Sequence, residues 1–101
     1  SSSDENLKEN LVAIPNALTK VGLMTGYTFT WKSGEEQYDS FPYYEGLPDT
    51  GVIAQQVDAL GLPGITTTRA DGTMAVRYER LVPILIEAIK ELEARVKTLE
   101  G

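Results

Sequence analysis

Ser3 and Lys8, in the opening run Ser3-Asp4-Glu5-Asn6-Leu7-Lys8, set a hydroxyl and an amine five residues apart. The two groups can serve as nucleophile and general base with no histidine between them. That pairing stands out because the chain contains no His and no Cys, which closes most other routes to covalent catalysis. Of the three leading serines only Ser3 has such a partner, since Asn6 and Leu7 stand five residues beyond Ser1 and Ser2. A free lysine has a pKa of about 10.4 and is no base at neutral pH. It must first lose its proton, which burial or a neighbouring cation can arrange. Five residues along a straight helix turn two side chains roughly 140° apart, and along a strand they point to opposite faces. Contact between Ser3 and Lys8 therefore needs a turn, which Asp4 and Asn6 favour. The spacing permits the pair without dictating it, because the same residues suit a helix cap or a linker with a solvated lysine.

The elements that must position this pair follow from pattern. Residues 1–6 read as a loose polar segment, and Leu7 to Ile14 as extended chain. Pro15 and Asn16 open a short helix over Ala17–Val21, which Gly22 or Gly26 ends. Tyr27-Thr28-Phe29-Thr30-Trp31-Lys32 alternates aromatic with polar residues, the pattern of a strand with three rings on one face. These rings are read as core, the alternative being a ligand platform. Residues 33–50 hold Gly34, Ser40, Pro42, Gly46 and Pro48 among acidic residues and three tyrosines, and read as one long loop. A helix is expected over Val52–Leu60, with Ile53, Val57 and Leu60 on one stripe and Gly61 as its stop. Ala70-Asp71-Gly72 between two β-prone runs predicts a hairpin, with Gly72 at positive φ.

The closing helix, expected from about Arg80 to Glu100 with Pro83 in its first turn, carries a second kind of signal. Val82, Leu85, Ile89, Leu92, Val96 and Leu99 are spaced 3, 4, 3, 4, 3, which is a heptad seam. A period of 3.5 residues buries a stripe only against another helix. Before Lys90 the helix is apolar on nearly all sides, so that part is expected to pack into the body as well. Beyond it only the seam stays apolar, and Lys90, Glu91, Glu93, Arg95 and Lys97 cover the other faces. The expected fold class is α+β: a small mixed domain with short strands, a hairpin, two short helices and a long C-terminal coiled-coil helix.

Composition narrows the function. At 101 residues the chain, residues 1–101, is read as one domain with a modest core. A net charge of −6, with the basic residues scattered, argues against a nucleic-acid surface. No apolar run reaches the roughly 20 residues of a membrane span, and no signal-peptide pattern is read at the start. Carboxylates without His or Cys form no recognisable metal site, so no metal or other cofactor is expected. The abrupt polar opening reads as part of a longer polypeptide.

Five stretches, taken together, resemble a known family. They are Ser3-Asp4-Glu5-Asn6-Leu7-Lys8-Glu9-Asn10-Leu11, Tyr27-Thr28-Phe29-Thr30-Trp31-Lys32, Gly51-Val52-Ile53-Ala54-Gln55-Gln56-Val57, Asp71-Gly72, and Leu81-Val82-Pro83-Ile84-Leu85-Ile86-Glu87-Ala88-Ile89-Lys90. In this order they resemble the C-terminal intramolecular chaperone, or auto-processing, domain of phage tail spikes and tail fibres, first associated with endosialidases and also found in myelin regulatory factor. The resemblance implies a homotrimer that guides an upstream β-rich stalk into register and then cuts itself off. It places the nucleophile on Ser3, the base on Lys8 and the scissile bond between Ser2 and Ser3. Backbone amides near Asp4–Asn6 are then candidates for the oxyanion, with no donor singled out. It also implies work in the host cytoplasm during phage assembly and absence from the mature fibre.

Two features sit less easily with it. Branched residues at a with Leu at d lean toward two strands, but the family trimer is taken as the expectation. Residues 33–50 are longer than a minimal member needs; Tyr38, Tyr43 and Tyr44 suit an arm reaching the stalk, and a plain surface loop is the alternative. Two other functions compete: a non-proteolytic trimerisation cap, and a receptor-binding tip that contacts a glycan through Trp31 and the tyrosines.

Overall fold

A computed structural model describes residues 2–33 and 44–101. The chain is a mixed α/β structure with two small antiparallel sheets and a long C-terminal helix. It opens on a 3-10 turn, Glu5–Leu7, held by Asp4, whose carboxylate accepts from the Asn6 amide at 2.9 Å. The extended run expected over Leu7–Ile14 is only partly so. Leu7 closes the turn, Lys8 resumes extended backbone, and Asn10 enters the left-handed region at φ 54°. Among the described residues no strand pairs with it. Apolar residues at 7, 11, 12 and 14 lack the two-residue alternation that a sheet face requires.

Helix α1, Ala17–Gly22, forms where expected, although Pro15 precedes it and does not occupy its first turn. Strand β1, Tyr27–Thr30, pairs with β2, Pro48–Gly51, in the register Tyr27↔Gly51 to Thr30↔Pro48. The end of the expected loop is thus a strand. Pro, Asp and Gly are depleted from strands, so local propensity hides it, and the pairing itself supplies the order. The three rings are not core. Tyr27 is 37% exposed, and Phe29 and Trp31 are half-buried. Trp31 packs edge-on to Phe29 at 5.1 Å and stacks on Tyr44 at 5.4 Å.

Helix α2, Ala54–Asp58, is shorter than the expected Val52–Leu60. The Val52 amide is taken by the Tyr78 hydroxyl at 3.0 Å, and Ile53 stays extended as the cap. Gly61, at φ 72°, follows as the expected stop. The hairpin forms as expected: β3, Thr66–Thr68, pairs with β4, Met74–Val76. Gly72 sits at φ 88°, and Asp71 accepts from the Thr73 amide at 2.9 Å. Asp58 ties α2 to the hairpin by accepting from the Thr66 hydroxyl at 2.7 Å.

A 3-10 turn, Tyr78–Leu81, leads into α3, Val82–Glu100, with Pro83 in its first turn as expected. The core is thin. Among the described residues Ala17, Val57, Ile65, Ile84 and Ala88 are its buried apolar side chains. Ile84 and Ala88 belong to the first half of α3, which packs against α1.

Candidate functional site

The turn that contact between Ser3 and Lys8 requires is present. Asp4 caps it, and the Lys8 amide closes it on the Glu5 carbonyl at 3.1 Å. Ser2, Ser3 and Lys8 are all exposed. Among the described residues neither the Ser3 hydroxyl nor the Lys8 amine has a hydrogen-bond or ion-pair partner, so the two are not brought together in the single chain. Of the amides near the turn, that of Asn6 is already engaged by Asp4. Asp4 and Glu5 are left as the oxyanion candidates of that trio.

Downstream of Lys8 the chain is seated more firmly. Val12 and Ile14 border a groove of about 460 Å³ with Leu62, Ile65, Pro83 and Ile84, which sets the segment beside the root of α3. The next anchor is polar. The Glu91 carboxylate, on α3, accepts from the amides of Ala17 at 2.7 Å and Leu18 at 3.1 Å, the first two residues of α1. These bonds, that to Ala17 foremost, hold the Glu91 carboxyl below its usual value, with smaller help from Arg95 and Lys20. Sequence reasoning placed Glu91 on a solvated face; no local signal marks a carboxylate that caps a helix some 74 residues away.

The seam residues Val82, Leu85, Ile89, Leu92, Val96 and Leu99 are all exposed, from 44% at Leu85 to 87% at Leu99. Single chains rarely leave so continuous an apolar stripe open. A second apolar surface lies in a cleft of about 640 Å³ between the first sheet, α2 and the hairpin, with Phe29, Trp31, Val52 and Met74 in its wall. Asp49 stands at its edge and accepts from the Trp31 indole at 3.1 Å. Bonding to the Thr50 amide first, and to Trp31 second, keeps the Asp49 carboxyl below its usual range. Tyr44 lies beside the cleft, stacked on Trp31, while Tyr38 and Tyr43 fall outside the described residues.

Two further residues hold this body together without a signal in the sequence. Gln56 donates to the Tyr27 hydroxyl and accepts from the Thr25 amide, both at 3.1 Å, clamping the start of β1 to α2. Tyr78 reaches so close to Gly51 that a Cβ there would meet its hydroxyl at 2.6 Å. A side chain at 51 would therefore have to push the Tyr78 ring aside.

The chain belongs to the family described as chaperone of endosialidase, named as a peptidase family, whose pattern matches residues 3–65. Among curated proteins it is similar to the long tail fiber protein Gp37 of Enterobacteria phage K3, 31% identical over 98% of this chain. The same protein of Enterobacteria phage T2 is 31% identical over 98% of the chain, and that of Escherichia phage AR1 is 32% identical over 88%. The chain spans only 7–8% of the length of these relatives.

Proposed function

We propose that this chain is a C-terminal intramolecular chaperone that trimerises through α3, assists assembly of an upstream phage tail fibre, and releases itself by cutting before Ser3. Residues 1–101 act in it as one domain, with 1–6 as the cleavage segment, 33–50 as an arm toward the stalk and 80–100 as the coiled-coil helix. The observation that carries the reading is the Asp4-capped turn between Ser3 and Lys8, in a chain whose family match begins at Ser3. The open heptad seam supports self-association, and the tail-fibre relatives support the fibre as the assembly partner.

The chemistry follows from the two side chains. Assembly buries the Lys8 ammonium, which favours its neutral form. Lys8 takes the proton of the Ser3 hydroxyl, and the oxygen attacks the Ser2 carbonyl carbon. The Ser2–Ser3 C–N bond then breaks, the proton passes from Lys8 to the departing Ser3 amine, and an ester links Ser2 to the Ser3 oxygen. Water then attacks the carbonyl carbon of that ester and its C–O bond breaks, leaving a Ser2 carboxylate and a free Ser3 hydroxyl. Each molecule turns over once, so cleavage acts as a timer for release, during phage assembly in the host cytoplasm.

The test is a denaturing gel of the chain expressed behind its upstream segment. Wild type should release the fragment, and Ser3→Ala and Lys8→Ala should stay full length. Equal processing in all three removes both residues from the mechanism. One observation favours a second reading, a trimerisation cap without proteolysis: Ser3 and Lys8 are exposed and unlinked in the single chain. That cap predicts oligomer without cleavage in wild type, on the same gel.

A further inference from the structure

We infer that Glu91 is a positioning residue through which assembly along α3 sets the Ser3–Lys8 segment in place. The inference rests on the cleavage reading above and adds a residue to it. Helix α1 has six residues, and its N-cap Asn16 sits at φ 53° and gives no side-chain cap of its own. So short a helix does not hold itself in water. Its leading amides are satisfied from outside, by both oxygens of Glu91 at 2.7 and 3.1 Å. An apolar residue at 91 would bury similar surface, but only a two-oxygen acceptor fixes the direction of two amides at once.

The same turn of α3 faces both ways. Glu91 lies between Ile89 and Leu92, which are exposed seam residues, while its own carboxylate grips the root of the N-terminal segment. Any roll or shift of α3 as copies meet therefore moves the start of α1. Residues 9–16 are all that separate that start from Lys8. Lys20 reinforces the corner by donating to the Pro15 carbonyl at 2.6 Å, just before the turn. The charged groups that face Glu91 are Lys20 from α1 and Arg95 from α3 itself.

The experiment uses the full precursor at neutral pH and reads three quantities: the assembled fraction by ultracentrifugation, the cleavage rate per assembled molecule, and amide hydrogen exchange over residues 9–18 and along α3. Glu91→Ala should assemble like wild type but cleave about ten-fold more slowly or worse, the scale of losing a hydrogen bond to a charged group. Glu91→Gln keeps one carbonyl acceptor and should fall between the two. In both variants exchange should quicken over 9–18 and stay unchanged along the seam, a pattern that a purely structural role in assembly does not produce. Should Glu91→Ala fail to assemble, Glu91→Gln decides by the same measurements. Cleavage of the variants at the wild-type rate per assembled molecule, or unchanged exchange over 9–18, overturns the inference while Ser3→Ala still blocks the cut. A wild type that is not cut, or a Ser3→Ala variant that is, overturns the cleavage reading and this inference with it.

Discussion

The N-terminal segment, residues 2–16, and helix α3 both present apolar side chains to solvent, yet their shapes depend on different things. On α3 the exposed seam residues recur every three or four positions, and the helix satisfies its own backbone along most of its length. Its conformation is set before any partner arrives. In the segment, Leu7 is 72% and Val12 82% exposed, with no period and, among the described residues, no strand pairing to order the backbone. Its local shape comes from the Asp4 cap and the left-handed Asn10 and Asn16, and its lower end is anchored by the groove at the root of α3 and by Lys20. A partner helix can dock on the first region as it stands. Whatever covers the second must also give it form, so assembly through α3 is expected to precede alignment of Ser3 with Lys8.

The largest effect should come from the half of α3 that lies beyond α1. Leu92→Asp with Val96→Asp places two carboxylates in the seam without touching a core residue. Burying a leucine side chain is worth about 1.5–3 kcal/mol, and an unpaired buried charge costs more, so every copy loses both. Ultracentrifugation should find monomers, with the hairpin and α1 intact by NMR, and no cleavage of the precursor. An assembled, cleaving double variant would dissociate the seam from both activities. Ile84→Ala strikes the opposite face of the same helix. Ile84 is fully buried, and its truncation should cost about 2–5 kcal/mol, read by urea unfolding at fixed protein concentration. Well below the unfolding midpoint this variant should still assemble, which would separate the two faces.

The contrast between the two regions also accounts for what the sequence made legible. Periodic and turn signals survived the comparison with the structure: α3 with Pro83 in its first turn, the Asp71-Gly72 hairpin and α1; the opening segment, read as loose, instead carries the Asp4-capped turn that contact between Ser3 and Lys8 needs. Each except α1, whose leading amides depend on the distant Glu91, rests on contacts between near neighbours. Features set by distant partners did not show. Strand β2 owes its existence to β1 and not to Pro48, Asp49 or Gly51. Helix α2 loses its first turn because Tyr78 claims the Val52 amide. The aromatic alternation of Tyr27, Phe29 and Trp31 did mark a strand, but burial of the rings depends on what lies opposite, and there the sequence is silent. Glu91 reads as one more charge on a solvated face until α1 is seen to start on it.

A smaller effect is expected between the two regions, where Gly51 and Tyr78 join the first sheet to the approach of α3. Gly51→Ala drives its Cβ against the Tyr78 hydroxyl, which must move off the Val52 amide. The loss should be about 0.5–1.5 kcal/mol, the worth of one hydrogen bond. In a Tyr78→Phe background the same substitution should cost less, since the obstructing oxygen is gone. Equal cost in both backgrounds would place the strain elsewhere.

The gentlest perturbation is protonation of Glu91, the one described contact in which a charge on α3 holds the N-terminal region. Its two amide donors keep the folded-state carboxyl below the ordinary value of 4.5. A group depressed on folding contributes stability that is fully present above its unfolded value and is lost as the pH falls through the folded one. Stability measured by urea at constant protein concentration should therefore decline below about pH 4.5, with part of that slope belonging to Glu91. In Glu91→Gln that part should vanish while the contribution of Asp49, whose carboxyl is also held low, remains. The site is partly open to solvent, so salt weakens the Arg95 and Lys20 contributions more than the two short hydrogen bonds. If the decline persists unchanged in Glu91→Gln, the joint between α3 and α1 is held by Ala17, Ile84 and Ala88 alone, and the two ends of the chain communicate through apolar packing.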